Sequence, residues 1–412
     1  MKDNMKILIV SQYFWPENFR INDLALGLSE KGHDITVLTG IPNYPQGQFY
    51  PGYGVFSKRD GNYGGVRVVR VPLIPRGQGR TFQLIINYLS FTLCATLLGP
   101  LYCRGRFDLI FFSLSPFTEG IPTMLFKKIK KAPVVFWGQD IWPESLSATG
   151  NVSSPLILKM VRMVIRFIYH GCDLILTQSR SFSSYIERYG ISPDRIQYYP
   201  NSAEKLYQPI ILETEAPEHA KMPPGFKIVF AGNIGAAQDF GTILSAAEQI
   251  KTYQDIHWVI IGEGRMRHWV EEQINLRGLS ATVHLIGLYP VEAMPHFFAL
   301  ADVLLVTLKK EPIFALTIPG KVQSYLACAR PIIAALDGEG ARVVEEAGAG
   351  LTCPAEDPES LAKTVLKAYN MTADDREKMA LRGRVYFEKN FESRMLLDRL
   401  DGWLSELVGR KR

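Results

Sequence analysis

Short apolar runs that stop at a glycine or proline turn and give way to helical periodicity recur through this 412-residue chain. That alternation leaves few folds open to it. Lys6 to Val10 reads as a strand, Ser11 to Asn22 as its loop, Asp23 to Lys31 as a helix ending at Gly32, and Ile35 to Thr39 as the next strand. Repeated units of this kind predict an α/β class with a doubly wound parallel sheet and helices on both faces. Strands follow at Asp108 to Phe112, Val134 to Trp137 and Asp173 to Thr177, with a helix over Ser181 to Tyr189. From Ala203 to Gly225 the composition turns to Pro, Glu and Lys with little periodicity, which places an interdomain linker at 206–225 after an N-terminal domain of 1–205. A second set then begins: strand Lys227 to Ala231, the turn GNIGAAQDF, a helix through Ile250, strand Trp258 to Ile261, and strands at His284 to Ile286 and Val303 to Leu308. This predicts a second doubly wound domain over 226–385. In the remaining 386–412, Leu396, Leu400, Trp403, Leu404 and Leu407 share one helical face.

Residues 317–340, TIPGKVQSYLACARPIIAALDGEG, carry the strongest local signal for a ligand. Pro319 and Gly320 end a strand, and Val322, Tyr325 and Leu326 fall at helical spacing, so Lys321 lies in the first turn of a helix. Unpaired N–H groups and the positive end of the helix dipole favour an anion there, and the lysine adds a full charge. Ile332 to Leu336 then reads as a buried strand ending in Asp337-Gly338-Glu339-Gly340, a loop at the carboxyl end of a strand, where open α/β sheets bind ligands.

Charge separates the two halves. Residues 1–205 hold 23 Lys and Arg against 14 Asp and Glu, a net of +9, whereas the remainder nets −4. The first half is suited to an anionic partner. No nucleic-acid motif is present, and an anionic membrane surface fits better. Residues 82–102 contain no charge, lie between Arg76 and Arg80 on one side and Arg104 and Arg106 on the other, and are long enough to reach across a bilayer. Gln83, Asn87, Ser90, Thr92 and Thr96 interrupt them, so a transmembrane span, a buried core helix and a helix dipping into the interface all stay open. Pro155 to Tyr169 places Lys159, Arg162 and Arg166 on a strongly apolar helix, either a solvated basic stripe or a membrane-surface face. Five cysteines without a CxxC pair imply reduced thiols in a cytoplasmic compartment, and the apolar run in MKDNMKILIV is too short for a secretory signal.

The order of elements, with YFWPENFRINDLALGLSEKGHDITVLTGIPNYPQG at the start and FAGNIGAAQ and PGKVQSYLACARPIIA later, resembles the GT-B glycosyltransferases of family 4. Within that family it is similar to the bacterial O-antigen and exopolysaccharide branch of L-fucosamine or N-acetyl-L-fucosamine transferases. The resemblance implies two Rossmann-like domains facing across a cleft, with a UDP-sugar donor on the C-terminal domain and a lipid-linked saccharide acceptor on the N-terminal one. It also implies no metal or other cofactor, and a cytoplasmic enzyme peripheral on the inner face of the plasma membrane. Two family features are replaced. Asn233 and Gln238 stand where an Arg and a Lys usually grip the diphosphate, and Ser324 stands for the second of two glutamates, with Glu311 in the place of the first. Lys321 then carries more of the pyrophosphate, with Arg20 from the first loop as a candidate helper.

Transfer from a nucleotide sugar builds negative charge on the departing diphosphate, so the site must stabilise that group and position the acceptor hydroxyl. Lys321 and the main chain near Gly232, Asn233 and Gly235 are assigned to the first task. The donor set is completed by Gln238, Gly262, Glu263, Gly264, Glu311, Pro319, Gly320, Ser324, Glu339, Gly340 and Arg20. For the second task, Asp140 and Glu144 follow a central strand beside Trp142 and Pro143. Asp140 serves as general base if the configuration inverts, or binds a hydroxyl if it is retained; a plain helix-capping role stays open for both carboxylates. Trp15, Asn18, Asn43 and Tyr44 are candidate acceptor contacts, since sugars stack on aromatic faces, although loop aromatics also pack on their own domain. His33 reads as structural. A UDP-sugar 2-epimerase of GT-B architecture and a non-catalytic sugar-nucleotide-binding membrane protein remain the alternatives.

Overall fold

A computed structural model describes residues 4–55, 57, 59–113, 116–144 and 154–410. Ser145 and Leu146, the end of the loop that follows the third long apolar strand, lie outside the described residues. The chain forms two compact units: Met1–Tyr199 together with Leu397–Arg412, and Pro200–Leu396. The division therefore falls just before the Pro-, Glu- and Lys-rich stretch rather than within 206–225.

The first unit runs β1 (Lys6–Val10), α1 (Arg20–Glu30), β2 (Asp34–Gly40), β3 (Asp60–Tyr63), β4 (Val66–Val71), α2 (Thr81–Tyr102), β5 (Leu109–Ser113), α3 (Gly120–Lys130), β6 (Val134–Gly138), α4 (Pro155–Gly171), β7 (Leu174–Thr177), α5 (Arg180–Glu187) and β8 (Ile196–Tyr198). Its sheet has the order β3-β4-β2-β1-β5-β6-β7-β8. Every pairing is parallel except that of β3 with β4. Helices cover both faces, so β5 and β6 are buried along their whole length and read as unbroken apolar runs. The chain winds outward from β1 through β2 to β4, then returns to β5 and winds the other way. The switch point therefore lies at the carboxyl ends of β1 and β5, where ligand crevices form in open sheets.

The second unit runs β9 (Phe226–Ala231), α6 (Phe240–Gln249), β10 (Ile256–Ile261), α7 (Arg267–Leu276), β11 (Val283–Gly287), α8 (Met294–Leu300), β12 (Val303–Thr307), α9 (Pro312–Ala315), α10 (Gly320–Ala327), β13 (Ile332–Ala335), α11 (Glu339–Glu346), β14 (Gly350–Cys353), α12 (Pro358–Tyr369) and α13 (Ala373–Asn390). Its sheet is parallel throughout in the order β11-β10-β9-β12-β13-β14, with the switch point between β9 and β12.

The long apolar helix α2 is not a buried core helix. One side packs Phe91, Ala95 and Gly99 inward. A side chain at Gly99 would come within 2.9 Å of Leu38 and 3.0 Å of Phe126, so glycine is what lets the helix lie close to the sheet. The other side exposes Phe82, Ile85, Leu89, Leu93, Leu97 and Leu101, a stripe at three- and four-residue spacing. By length and composition α2 could cross a membrane, yet its inner side is committed to this unit's core.

Helix α14 (Ser393–Gly409) begins in the second unit and completes the first. Leu400 and Leu404 are fully buried, Leu397 lies against Gly27 of α1, and Lys31 pairs with Asp398. His33 is structural, as its position between a helix end and a strand suggested. One ring nitrogen contacts Asp401 at 2.9 Å and the other accepts the Met5 N–H at 3.3 Å. Leu400→Ala should therefore cost about 2–5 kcal/mol, seen as a lower urea midpoint for the unfolding of the first unit.

Candidate functional site

Two sites form at the two switch points, each built within its own unit.

In the second unit, the turns after β9 and β10 pack on each other through glycine. Gly262 has φ +144°, and a Cβ there would lie 1.9 Å from the Gly232 carbonyl oxygen; at Gly264 it would lie 2.3 Å from that of Ile234. No side chain fits either position. The Gly232 N–H donates to Ile261 at 2.8 Å and the Ile234 N–H to Glu263 at 2.8 Å, which fixes the paired turns. Lys321, in the first turn of α10, lies along this surface. Its Cε would be 2.8 Å from a Cβ at Gly232, and its ammonium sits 3.5 Å from the centre of the Phe230 ring. Among the described residues no carboxylate pairs with that ammonium. The aromatic face holds the cation without neutralising it. Burial lowers the amine to about 7 from 10.5.

Most of the expected donor residues gather around this lysine. A Cβ at Gly235 would meet the Asn233 amide at 2.5 Å and the Gln238 side-chain oxygen at 3.1 Å, and one at Gly264 would meet Asn233 at 2.7 Å. The two amides that replace an Arg and a Lys thus border the glycine turns, and the Gln238 side-chain oxygen is buried without a hydrogen-bond partner. A Cβ at Gly340 would lie 2.9 Å from the Pro319 ring, so glycine there lets the loop after β13 approach the start of α10. Beside them opens a pocket of about 430 Å³ lined by Lys309, Lys310, Glu311, Phe314 and Asp337. Three expected ligands are otherwise engaged. Ser324 donates back to the Gly320 carbonyl at 3.2 Å, Glu263 pairs with Arg267, and Glu339 is buried against Arg342 at 2.7 Å. Arg20 opens α1 in the first unit and is exposed there.

In the first unit a polar network fills the crevice beyond β1 and β5. The Glu119 carboxylate accepts the Gln12 N–H at 2.7 Å, the Gln12 side chain donates to Asn87 at 2.6 Å, and the Tyr13 hydroxyl donates to the same Asn87 oxygen at 3.3 Å. Glu119 has no exposure, and burial pushes its carboxyl well above the usual range, with the Gln12 N–H opposing the shift. Tyr13 and Tyr88 are hydrogen-bonded to each other and both raised by burial; Asp140 and Arg76 each lie close enough to Tyr88 to act on it, in opposite senses. Asp140 therefore lies within electrostatic reach of this crevice. Glu144 does not. Its carboxylate accepts from the Tyr185 hydroxyl and lines a separate groove between α4 and α5.

The expected acceptor residues divide in the same way. Tyr44 is partly exposed, with the Arg76 guanidinium 4.7 Å above its ring and Tyr13 and Phe19 at its edges. Asn43 is buried and structural: its side chain accepts the Arg76 N–H at 3.0 Å and donates to Ile41 at 2.9 Å. Trp15 stacks on Tyr63 at 5.1 Å, and Asn18 is exposed on the loop before α1. Sequence reading missed Glu17, Arg76, Tyr88 and Glu119. Glu17 organises the loop, since its carboxylate accepts the N–H groups of Asn43 at 2.7 Å and Tyr44 at 2.6 Å. Burial nevertheless raises it to about 7, with those N–H bonds opposing the shift.

The comparisons follow the same division. The family described as "Glycosyl transferase 4-like domain" matches residues 18–202, and "Glycosyl transferases group 1" matches residues 225–371. The chain is a glycosyltransferase of the GT-B fold. This glycosyltransferase is 26% identical over 306 residues to "Probable glycosyltransferase WbjE" of Pseudomonas aeruginosa, covering 71% of this chain and 72% of that one. It is 25% identical over 338 residues to "Putative colanic acid biosynthesis glycosyl transferase WcaI" of Escherichia coli K12, covering 78% and 81%. Among solved structures, sucrose-phosphate synthase from Thermosynechococcus elongatus superposes with a TM-score of 0.73 at 16% identity, covering 99% and 100% of the two chains. Anabaena HepE, solved with UDP and glucose, gives 0.67 at 15%, covering 98% and 100%.

The Glu17 shift has a testable sign. Its folded pKa exceeds the unfolded value of 4.5, so the associated stability is present below about 4.5 and is lost as pH rises through about 7. Glu17→Gln cannot ionise. Relative to the parent, the variant should gain on the order of 3 kcal/mol between pH 4.5 and pH 8, measured by urea unfolding across that range.

Proposed function

We propose that this glycosyltransferase moves a sugar from a UDP-sugar to a polyprenyl-diphosphate-linked saccharide during assembly of O-antigen, capsule or another exopolysaccharide. The donor sugar is a deoxy-amino sugar of the N-acetyl-L-fucosamine class, and the enzyme works from the cytoplasmic face of the plasma membrane. The observation that carries this reading is the Lys321 ammonium, held on the Phe230 ring against the glycine turns with no carboxylate to neutralise it. A site that holds a cation and leaves its countercharge to be supplied suits a diphosphate leaving group. The relative named for colanic acid synthesis and the neighbour solved with UDP support the polysaccharide context and the nucleotide.

In the mechanism, Lys321 and the N–H groups opening α10 take the charge that develops on the departing UDP, in place of a metal ion. The neutral amides of Asn233 and Gln238 hydrogen-bond where the wider family places cations. Asp140, beside Tyr88 and Arg76, acts on the acceptor hydroxyl as base in an inverting transfer, or holds a hydroxyl in a retaining one. The exposed apolar stripe of α2 and the exposed apolar row of α4 rest on the inner leaflet, where the lipid-linked acceptor resides.

Incubation with a panel of UDP-sugars and a lipid-linked acceptor tests the assignment. Transfer supports it; an isomerised free UDP-sugar means an epimerase, and neither product means a binding protein. Lys321→Ala should raise the donor KM by about tenfold or more, the loss of one charge-assisted contact, and unchanged kinetics would remove the lysine from the site. The amine titrates near 7 when free, and a bound diphosphate raises its pKa. UDP binding should therefore take up a proton above pH 7, with affinity falling as pH rises from there, measured by calorimetry in buffers of different ionisation enthalpy. Asp140→Asn should lower kcat by about 10²–10⁴-fold if Asp140 is the base and leave UDP affinity unchanged; normal turnover would end that role.

A further inference from the structure

The groove that Glu144 lines in the first unit has no part in the chemistry above. It measures about 910 Å³ and runs between α4 and the end of α5. Lys159, Arg162 and Arg166 stand along one side and Arg188 faces them. Among the described residues none of these four cations has a hydrogen bond or ion pair. Four cations of like charge in one groove repel one another, and an anion entering it relieves that repulsion. Among the described lining residues Glu144 is the one acid, and its carboxylate already accepts from the Tyr185 hydroxyl. The groove therefore carries a net charge near +3.

The same helix presents a second row. Leu156, Met160, Met163 and Phe167 recur at three- and four-residue spacing, and Met160, Met163 and Phe167 are each at least 60% exposed. This row lies about a quarter turn round the helix axis from the cations. Met163 belongs to both, since it is exposed and also lines the groove. A soluble phosphate would have no use for the apolar row, and a neutral lipid none for four cations. Only an amphiphile whose anionic head enters the groove and whose hydrocarbon follows the ridge satisfies both. A phosphodiester headgroup brings a single negative charge, whereas a diphosphate diester brings two and spans more of the cationic row.

We propose that the groove between α4 and α5 binds the diphosphate of a polyprenyl-linked substrate, with Lys159, Arg162, Arg166 and Arg188 around the two phosphates and the chain lying on Leu156, Met160, Met163 and Phe167. The identity of the amphiphile rests on the acceptor class proposed above; that it is an anionic amphiphile rests on the groove alone.

The test uses the full-length protein and the variant Arg162→Gln/Arg188→Gln, with Arg188→Gln alone as a milder second variant. Flotation measures binding to phosphatidylcholine vesicles doped with polyprenyl diphosphate, and to vesicles matched in surface charge with phosphatidylglycerol. UDP binding is measured in parallel and should not change, because neither arginine belongs to the second unit. The expected result is a loss of about tenfold or more on the diphosphate vesicles, with less than about threefold on phosphatidylglycerol and a smaller loss in the same direction for Arg188→Gln. An equal loss on both vesicle types would show a general anionic surface and overturn the diphosphate assignment. Unchanged binding on both would overturn the groove as a site. Absence of UDP binding in the parent would instead strike the transferase reading and leave the groove result standing.

Discussion

An ammonium group mostly out of water, with an aromatic ring beneath it and no acid beside it, is an expensive arrangement to fold. Lys321 survives there because two features reduce the cost. The Phe230 ring offers its negative face, and the amine can lose its proton near neutral pH. Neither satisfies the charge as an anion would, so the folded protein holds an electrostatic deficit at one point of its second sheet. The surrounding architecture serves that point. The paired glycine turns strip side chains from the surface the lysine lies on, and the switch point between β9 and β12 opens the crevice beneath it.

The first unit treats charge in the opposite way. Its crevice at β1 and β5 contains carboxyls, Glu17 and Glu119, that burial pushes toward neutrality, together with tyrosines whose hydroxyls are held in hydrogen bonds. The result is a dense set of hydrogen-bond donors and acceptors in which negative charge is disfavoured, with Asp140 and Arg76 within electrostatic reach of it. Such a surface suits a hydroxyl-rich ligand better than an anion, because hydroxyls need partners of fixed direction rather than net charge. The two units therefore differ chemically even though both are parallel α/β sheets.

What the sequence disclosed follows the range over which each signal acts. The Pro-Gly-Lys start of α10, the glycine turns after β9 and β10 and the alternation of strands and helices are local, and each could be read within about ten residues. The Phe230 platform could not, because it depends on a strand and a helix some ninety residues apart. Glu119 was equally hidden, since its partner Gln12 lies 107 positions away. A trace of the polar crevice was visible in Asn87, an amide within an uncharged helix. It interrupted the apolar pattern because it faces Gln12, Tyr13 and Ile74 rather than lipid or core. Asp140 and Glu144 are four apart and were read as a pair, yet the turn between them sends one toward α2 and the other toward α5. Sequence spacing conveys shared facing only within a regular element, and this is a loop.

The last helix has a consequence for how the molecule is made. Leu397, Leu400, Asp401 and Leu404 complete the cover over Gly27 and His33, yet they leave the ribosome only after the whole of Pro200–Leu396 has been synthesised. At ordinary elongation rates that delay is roughly ten to forty seconds. Throughout it the nascent amino-terminal lobe has an open flank, so the first unit can close only after the second has been made.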